Sequence, residues 1–292
     1  MPIVRVALLL VTLVVFGSIS TYLSLRDQPS QPALAIQEKL RPVTDKRVIG
    51  RSVEDRPIEA YTFGGGDTHL LFVGGIHGGY EWNSVLLAYK FIDHFTANPA
   101  SIPEKLTVTV IPSANPDGLF KVAGKTGRFS TANVSAETSV VESGRFNAHG
   151  VDLNRNFDCK WKPKSTWRSK TVSAGTEPFS EPESKTLKSF VEANNPDAVI
   201  FWHSQANAVY ASECTDGILP ETLAVMNIYS KAAGYPAVES FDSYEVNGDA
   251  EGWLASIGIP AITVELKTHE AIEWGKNLTG VSALFEYYSL KK

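Results

Sequence analysis

Four short segments that are mostly apolar constrain the fold of this chain most strongly. They occupy residues 69–76, 106–112, 197–202 and 259–266, and none is longer than eight residues. Short, mostly apolar segments of this length are typical of strands that are buried on both faces of a sheet. Patterns with helical spacing at 81–97, 220–233 and 270–288 alternate with them. The sequence therefore predicts a single α/β domain with a mixed, mostly parallel twisted sheet and helices on both faces.

A further helix is predicted to begin near Ser180, because Pro182 suits a first helical turn. Ser180 is expected to cap this helix, with Glu183 at the reciprocal position of a capping box. The preceding region, 113–179, is long, irregular and rich in Gly, Ser, Thr and Asn. Loops of that length in a compact domain tend to carry function.

The N-terminal segment is apolar and uncharged from residue 6 to residue 25. Its length and composition predict that residues 1–25 are a signal peptide or a membrane anchor, and the sequence does not separate the two. Residues 26–46 contain three prolines and predict a linker, which leaves 47–292 as the α/β domain. We expect this domain to be exported, periplasmic or extracellular, either secreted or held at the membrane by the N-terminal segment. In an oxidising compartment Cys159 and Cys214 could form a disulfide, the alternative being two free buried thiols.

The composition narrows the classes of ligand. The chain carries 27 basic and 32 acidic residues, a net charge of −5, which argues against nucleic acid as a partner. Two cysteines are too few for a four-cysteine zinc site. A metal ion would therefore have to be held mainly by carboxylates and by some of the six histidines.

Ionisable side chains end three of the predicted strands. His77 follows the first apolar run, His203 follows the third, and Glu265 lies near the end of the fourth. Ligands of open α/β sheets bind beyond the carboxyl ends of the strands, so these side chains are expected to converge.

A metal site is predicted from this convergence. Glu81 stands four residues after His77, with two glycines between them that allow a tight turn. Two imidazoles, one carboxylate and an open fourth position form a catalytic zinc set, so His77, Glu81 and His203 are predicted to hold one Zn²⁺ ion. A histidine at a strand end is, taken alone, more often a hydrogen-bonded loop residue than a ligand.

A second group of functional residues is expected in the long irregular region. Asn154 and Arg155, in the segment GVDLNRNFD at 150–158, offer a side-chain amide next to a planar guanidinium. This pair suits bidentate capture of a carboxylate. Arg145 lies in the same region.

Four motifs together resemble the zinc metallocarboxypeptidases related to carboxypeptidases A and B, in an exported bacterial branch. The resemblance covers roughly residues 45–290. The motifs occur in the order found in that family: Asn115-Pro116-Asp117-Gly118, GVDLNRN at 150–156, His203-Ser204, and Thr263-Val264-Glu265-Leu266.

The resemblance implies a zinc-dependent enzyme that removes the C-terminal residue of a peptide by means of metal-activated water. Glu265 would be the general base and then the general acid, and Arg145 would polarise the scissile carbonyl. Asn154 and Arg155 would bind the C-terminal carboxylate of the substrate, and Tyr244 would close over it.

Glu251 stands two residues before Trp253. In the resembling enzymes this position lines the pocket for the C-terminal side chain. An acidic residue there implies a basic or diaminopimelate-type substrate. The alternative is that Glu251 belongs to an exposed helix surface.

One departure from the family pattern affects the metal site. The family spaces its first two ligands as HxxE, whereas this chain has HxxxE between His77 and Glu81.

Two other functions remain open: a zinc amidohydrolase or deacylase that acts on a small N-acyl amino acid, and a surface binding module of the same fold without catalysis. Retention of Glu265 argues against the second, because a binding module needs no general base.

Overall fold

A computed structural model describes residues 45–291. The predicted signal or anchor segment, 1–25, lies outside the described residues, as does the predicted linker up to residue 44. Within the described range, no helix combines the length and the hydrophobicity that a membrane span requires.

The described residues form one large sheet and two small ones. The strands are β1 (Asp45–Arg51), β2 (Pro57–Gly64), β3 (Thr68–Gly74), β4 (Leu106–Ile111), β5 (Lys164–Trp167), β6 (Lys170–Ser173), β7 (Ala198–Ser204), β8 (Ala208–Ala211), β9 (Glu213–Cys214), β10 (Gly217–Ile218), β11 (Ala237–Val238) and β12 (Ala261–Leu266). Eight of them make the large sheet in the order β1-β2-β4-β3-β7-β12-β8-β11. Strands β4, β3, β7 and β12 are parallel neighbours at its centre, and antiparallel pairs flank them. The predicted mixed, mostly parallel sheet is confirmed.

Helices cover the sheet. They are α1 (Trp82–Ala97), α2 (Pro116–Ala123), α3 (Thr138–Ser143), α4 (Pro182–Asn194), α5 (Pro220–Ala233), α6 (Ala250–Ser256) and α7 (Trp274–Leu290). The predicted boundary at the end of α5 is confirmed, since Gly234 caps this helix in the left-handed conformation.

Alternate side chains of the central strands fill two separate cores. On β7, Ile200 and Trp202 belong to the core that includes residues of α1, α5 and α7. Val199 and Phe201 belong to the other core, which includes residues of α4 and α6. Because successive side chains of a strand point to opposite faces, β7 is buried on both sides. This explains the uninterrupted apolar run and confirms the prediction of helices on both faces.

The register of the central strands places the ionisable residues at one edge of the sheet. Glu265 of β12 is directly paired with His203 of β7. Gly74, at the end of β3, is paired with Trp202, so the chain that leads to His77 emerges beside the same two strands.

The start of α4 differs from the prediction. Its N-cap is Glu181, not Ser180, and the Ser180 hydroxyl donates a hydrogen bond to the Glu181 carboxylate at 2.9 Å. Glu183 accepts a hydrogen bond from the backbone N–H of Val53 at 3.1 Å. The predicted capping box is wrong, because the side chains of Ser180 and Glu183 bind these groups and not each other's backbone N–H groups.

The two cysteines form a disulfide. Cys159 follows the GVDLNRN segment, and Cys214 lies on β9, 55 residues later in the chain. The bond therefore fastens the base of the β5–β6 hairpin to the segment after β8.

Candidate active site

A pocket of about 580 Å³ opens at the carboxyl ends of the central strands. Its volume is within the usual range for small-molecule and peptide-end sites. All nine side chains predicted from the sequence line it: His77, Glu81, Arg145, Asn154, Arg155, His203, Tyr244, Glu251 and Glu265.

His77, Glu81 and His203 come together as a buried group whose ligand atoms lie within 4.8 Å of one another. Nε2 of His77 lies 4.0 Å from Glu81 Oε1, and Nδ1 of His203 lies 3.1 Å from Glu81 Oε2. Ligand atoms about 2.1 Å from a tetrahedral zinc ion would be about 3.4 Å apart. The spacing and the chemistry of these donors therefore fit a zinc ion.

A short 3₁₀ turn, Gly78–Glu81, accommodates the extra residue between His77 and Glu81. Gly78 has a φ of +46°, in the left-handed region that favours glycine. A Cβ atom on Gly79 would lie 2.5 Å from Val122 and 2.6 Å from the backbone oxygen of Gly118. The two glycines thus let the turn pack against α2 and bring Glu81 back to His77 despite the HxxxE spacing.

The surroundings shift the pKa values of the two histidines in opposite directions. Burial lowers the pKa of His77 well below its ordinary value, and the positive charge of Arg145 lowers it further. Burial also lowers the pKa of His203, but the Glu81 and Glu251 carboxylates offset this and hold it well above the ordinary value. A neutral imidazole is the form that coordinates a metal, so these surroundings favour that form of His77 and disfavour that form of His203.

Asp152 connects Arg145 to the metal group, which comprises His77, Glu81 and His203. Its Oδ2 accepts a hydrogen bond from Arg145 Nε at 2.8 Å, and its Oδ1 lies 3.5 Å from His77 Nδ1. Outer carboxylates of this kind orient metal-ligating histidines. No role was predicted for Asp152 from the sequence, although this residue lies within the GVDLNRN motif.

Glu265 is placed beside His203 by the strand register, and its Oε2 is buried without a hydrogen-bond partner among the described residues. Burial, with a further contribution from the Glu81 charge, raises the pKa of Glu265 to about 8. A bound dication would lower this pKa by favouring the carboxylate. A buried carboxyl group that responds to its surroundings in this way suits proton transfer.

Asn154 and Arg155 are held by backbone contacts at the pocket wall. Asn154 Oδ1 accepts from the N–H of Ala250, the first residue of α6, at 2.8 Å. Arg155 directs three of its N–H groups to the carbonyl oxygens of Asn154 and Thr166. A guanidinium has five such donors, so two remain, as many as a bidentate carboxylate contact needs.

Glu251 is 3% exposed, so the alternative that placed it on a helix surface is wrong. Its Oε1 lies 3.1 Å from His203 Nε2 and accepts a hydrogen bond from Thr263 Oγ1 at 3.0 Å. Asp249, the N-cap of α6, also lines the pocket. Burial and the nearby Glu251 charge raise the pKa of Asp249 to about 6. The pocket thus has an acidic region that comprises Asp249 and Glu251.

Tyr244 lines the pocket from the segment between β11 and α6. Its ring packs edge-on against Phe241, with 4.9 Å between ring centroids. The next residue, Glu245, forms an ion pair with Lys162. This salt bridge connects the Tyr244 segment to the residues that lead into the β5–β6 hairpin.

Trp167, at the end of β5, forms one side of the pocket and was not predicted from the sequence as a site residue. The Arg145 guanidinium lies 4.8 Å from the centre of its ring, and the Tyr80 ring packs edge-on against it at 5.1 Å. The next residue, Arg168, donates from Nη2 to the Tyr80 hydroxyl at 2.8 Å. The density of basic and aromatic residues at 160–170 was the available signal.

Comparisons with known proteins agree with this geometry. The sequence profile described as zinc carboxypeptidase matches residues 34–273. A gamma-D-glutamyl-L-diamino acid endopeptidase 1 of Lysinibacillus sphaericus is 24% identical over 243 residues. That match covers 75% of this chain and 59% of the relative, so this chain spans under two thirds of that relative's length.

Two solved structures share the fold. Bovine thrombin-activatable fibrinolysis inhibitor, solved in complex with tick carboxypeptidase inhibitor, has a TM-score of 0.67 and 21% identity, with 87% of this chain and 93% of that chain covered. Murein-tripeptide amidase MpaA from Escherichia coli O157 has a TM-score of 0.57 and 20% identity, with 88% and 96% covered.

The family profile spans most of the described domain, and the residues that carry the motif resemblance converge in one pocket. The chain belongs to the zinc carboxypeptidase family.

Proposed function

We propose that this protein is a zinc-dependent carboxypeptidase that removes the C-terminal residue of a peptide by means of metal-activated water. One observation carries the proposal. The pairing of Glu265 with His203 puts a buried carboxylate beside the His77, Glu81 and His203 group, in the pocket that also holds Asn154 and Arg155.

His77, Glu81 and His203 would hold one zinc ion, which would supply Lewis-acid polarisation and a water with a lowered pKa. Glu265 would accept a proton from the attacking water as general base. It would then deliver that proton to the nitrogen of the leaving amine as general acid.

Arg145 would stabilise the negative charge that develops on the scissile carbonyl oxygen. Asp152 and the Trp167 ring hold its guanidinium in the pocket wall, so little reorganisation is needed during the reaction. Preorganised charge of this kind is usually a major contribution to catalysis.

Asn154 and Arg155 would bind the carboxylate of the substrate's C-terminus. Only the end of a peptide presents a carboxylate at this position, so the pair would restrict the enzyme to exopeptidase action. Tyr244, on the segment facing the same pocket, would close over the bound residue.

Glu251 and Asp249 support a substrate with a basic C-terminal side chain, including a diaminopimelate-type residue. A cationic group entering between these carboxylates would offset their mutual repulsion. The names of the Lysinibacillus relative and of the Escherichia coli amidase refer to γ-D-glutamyl–diamino acid and murein peptides. We therefore infer that peptides of the bacterial cell wall are the substrate class, and that the enzyme is exported, secreted or membrane-anchored.

A matched pair of peptides tests the exopeptidase proposal. Both carry a γ-D-glutamyl–diamino acid end, and one has its terminal carboxylate converted to an amide. The free acid should be cleaved at least about 100-fold more efficiently, since a charge-assisted bidentate contact is lost in the amide. Equal values of kcat/KM for the two peptides would contradict the assignment of Asn154 and Arg155.

A further inference from the structure

The segment 160–170, KWKPKSTWRSK, is strongly basic in a chain whose net charge is negative. It carries five Lys or Arg residues in eleven positions, while the whole chain has a net charge of −5. The segment leads into and forms the β5–β6 hairpin, which borders the pocket through Trp167 and Arg168. Positive charge on one side of a pocket attracts an anionic group of a ligand to that side.

Some of these cations have carboxylate partners on the protein surface. Lys162 pairs with Glu245, and Lys170 pairs with Glu142. Arg168 differs, because its Nη2 donates to the Tyr80 hydroxyl and its guanidinium lies 5.4 Å from the centre of the Trp167 ring. Neither a hydroxyl nor an aromatic ring neutralises a guanidinium, so Arg168 presents a positive charge at the pocket.

The contacts place Arg168 on a defined side of the metal group. The two ring nitrogens of His203 face different carboxylates, Nδ1 towards Glu81 and Nε2 towards Glu251. Glu251 belongs to the acidic region assigned to the C-terminal side chain. The Tyr80 hydroxyl accepts a hydrogen bond from Arg168, and Tyr80 directly precedes Glu81 in the chain, so the contacts of Arg168 connect it to the Glu81 side of the metal group.

The direction of a bound peptide follows from these positions. In the proposed function, its C-terminal carboxylate would be at Asn154 and Arg155, and its scissile carbonyl would be at Arg145 and the metal group. Trp167 packs against Arg145, and Arg168 is the next residue along the hairpin. We infer that the part of the substrate that precedes the scissile bond would extend past Arg145 along this hairpin, towards Arg168.

We propose that Arg168 is a specificity-determining residue that binds a carboxylate on the substrate residue immediately N-terminal to the scissile bond. This inference rests on the proposed carboxypeptidase function. A γ-linked glutamyl residue is the chemical class that fits, since its side-chain carboxyl forms the scissile amide and its α-carboxylate stays free. An arginine can bind such a group through two parallel hydrogen bonds.

Two peptides that differ only at this α-carboxylate test the proposal. One keeps the free acid, and the other carries a primary amide of nearly the same size. For the acidic peptide, Arg168→Gln should raise KM about tenfold and leave kcat nearly unchanged, because a charged contact to a partly exposed group is lost. For the amidated peptide, KM should change by less than about twofold. Arg168→Lys should recover part of the preference, because it keeps the charge but not the bidentate geometry.

Lys164→Gln is the matched control, since Lys164 lies on the same hairpin, is exposed and stands outside the pocket lining. This variant should behave as the wild type with both peptides. Tyr80→Phe removes the hydroxyl that holds Arg168 and retains the charge, so it should produce a smaller rise in KM, again confined to the acidic peptide.

If Arg168→Gln raised KM equally for both peptides, the proposal would be overturned. The same holds if Lys164→Gln raised KM for the acidic peptide as much as Arg168→Gln does. If the wild type cleaves both peptides and Arg168→Gln does not discriminate, this inference alone fails. If the wild type cleaves neither peptide in the presence of zinc, the proposed function fails with it.

Discussion

Oε1 of Glu251 lies 3.1 Å from Nε2 of His203, and both side chains are buried. The other ring nitrogen of His203, Nδ1, lies 3.1 Å from Oε2 of Glu81, the carboxylate of the metal group. Carboxylates that face the outer nitrogen of a ligating histidine fix the tautomer and the orientation of its ring. Glu251 thus lines the pocket assigned to the C-terminal side chain and also borders a predicted metal ligand.

Replacement of Glu251 tests its assigned role in specificity. Glu251→Ala should reduce the preference for C-terminal Lys, Arg or diaminopimelate over neutral residues by about tenfold or more, because a buried carboxylate facing a cation is lost. The measurement is kcat/KM across peptides that differ only in the last residue. Glu245→Ala, at the rim of the same pocket, is the control and should keep the wild-type ranking. An unchanged ranking in Glu251→Ala would reject the pocket role.

Glu265→Gln should lower kcat by about 10²- to 10⁴-fold, since proton transfer by a positioned carboxyl group contributes that much. Its zinc content should equal that of the wild type, because Glu265 is outside the proposed ligand set. Metal analysis of the same preparation that is used for kinetics makes the comparison. A variant that retains wild-type kcat would show that another group transfers the proton.

Zinc affinity should fall as the pH is lowered, and the fall should begin above pH 6.5, the ordinary pKa of histidine. Glu81 and Glu251 raise the pKa of His203 in the metal-free protein, so a proton must leave before the ring can coordinate. Calorimetric titration of the metal-free protein with zinc in buffers of different ionisation enthalpy measures the protons released. About one proton or more should be released near neutral pH. Zinc binding that releases no proton at this pH would contradict the raised pKa.

The disulfide between Cys159 and Cys214 should contribute to stability. Closure of a 55-residue loop in the unfolded chain corresponds to about 4 kcal/mol in the chain-entropy description. For a domain of this size the loss should lower Tm by roughly 10 °C. Thermal unfolding with and without reductant measures this shift, and a Cys159→Ser/Cys214→Ser variant should no longer respond to reductant. Rapid alkylation of both cysteines in the native, unreduced protein would contradict the bond.

Much of the fold could be predicted from the sequence because the central strands are buried on both sides. Segments such as 198–202 are then apolar throughout, and the ends of the strands locate His203 and Glu265 at one edge of the sheet. The cap of α4 was predicted incorrectly, because Ser180 and Glu183 have partners that are distant in sequence or belong to the adjacent residue. Local propensity does not include such tertiary partners.

In the site, too, some features could be predicted from the sequence and others depend on tertiary contacts. The side chains that follow strands could be predicted from their position, whereas the contacts of Asp152 and the proposed role of Arg168 depend on residues across the pocket. Asp152 touches His77 and Arg145, and no spacing rule relates these three residues. The orientation of Arg168 depends on the hairpin turn and on the Tyr80 hydroxyl.

The most direct measurement of the central claim is mass-spectrometric profiling of a peptide library that includes cell-wall peptides, incubated with the zinc-loaded protein with and without a chelator. We predict the loss of single C-terminal residues from the peptides, with no such loss in the chelated sample or with Glu265→Gln. Cleavage at internal bonds, or C-terminal trimming that persists in the presence of the chelator, would contradict it.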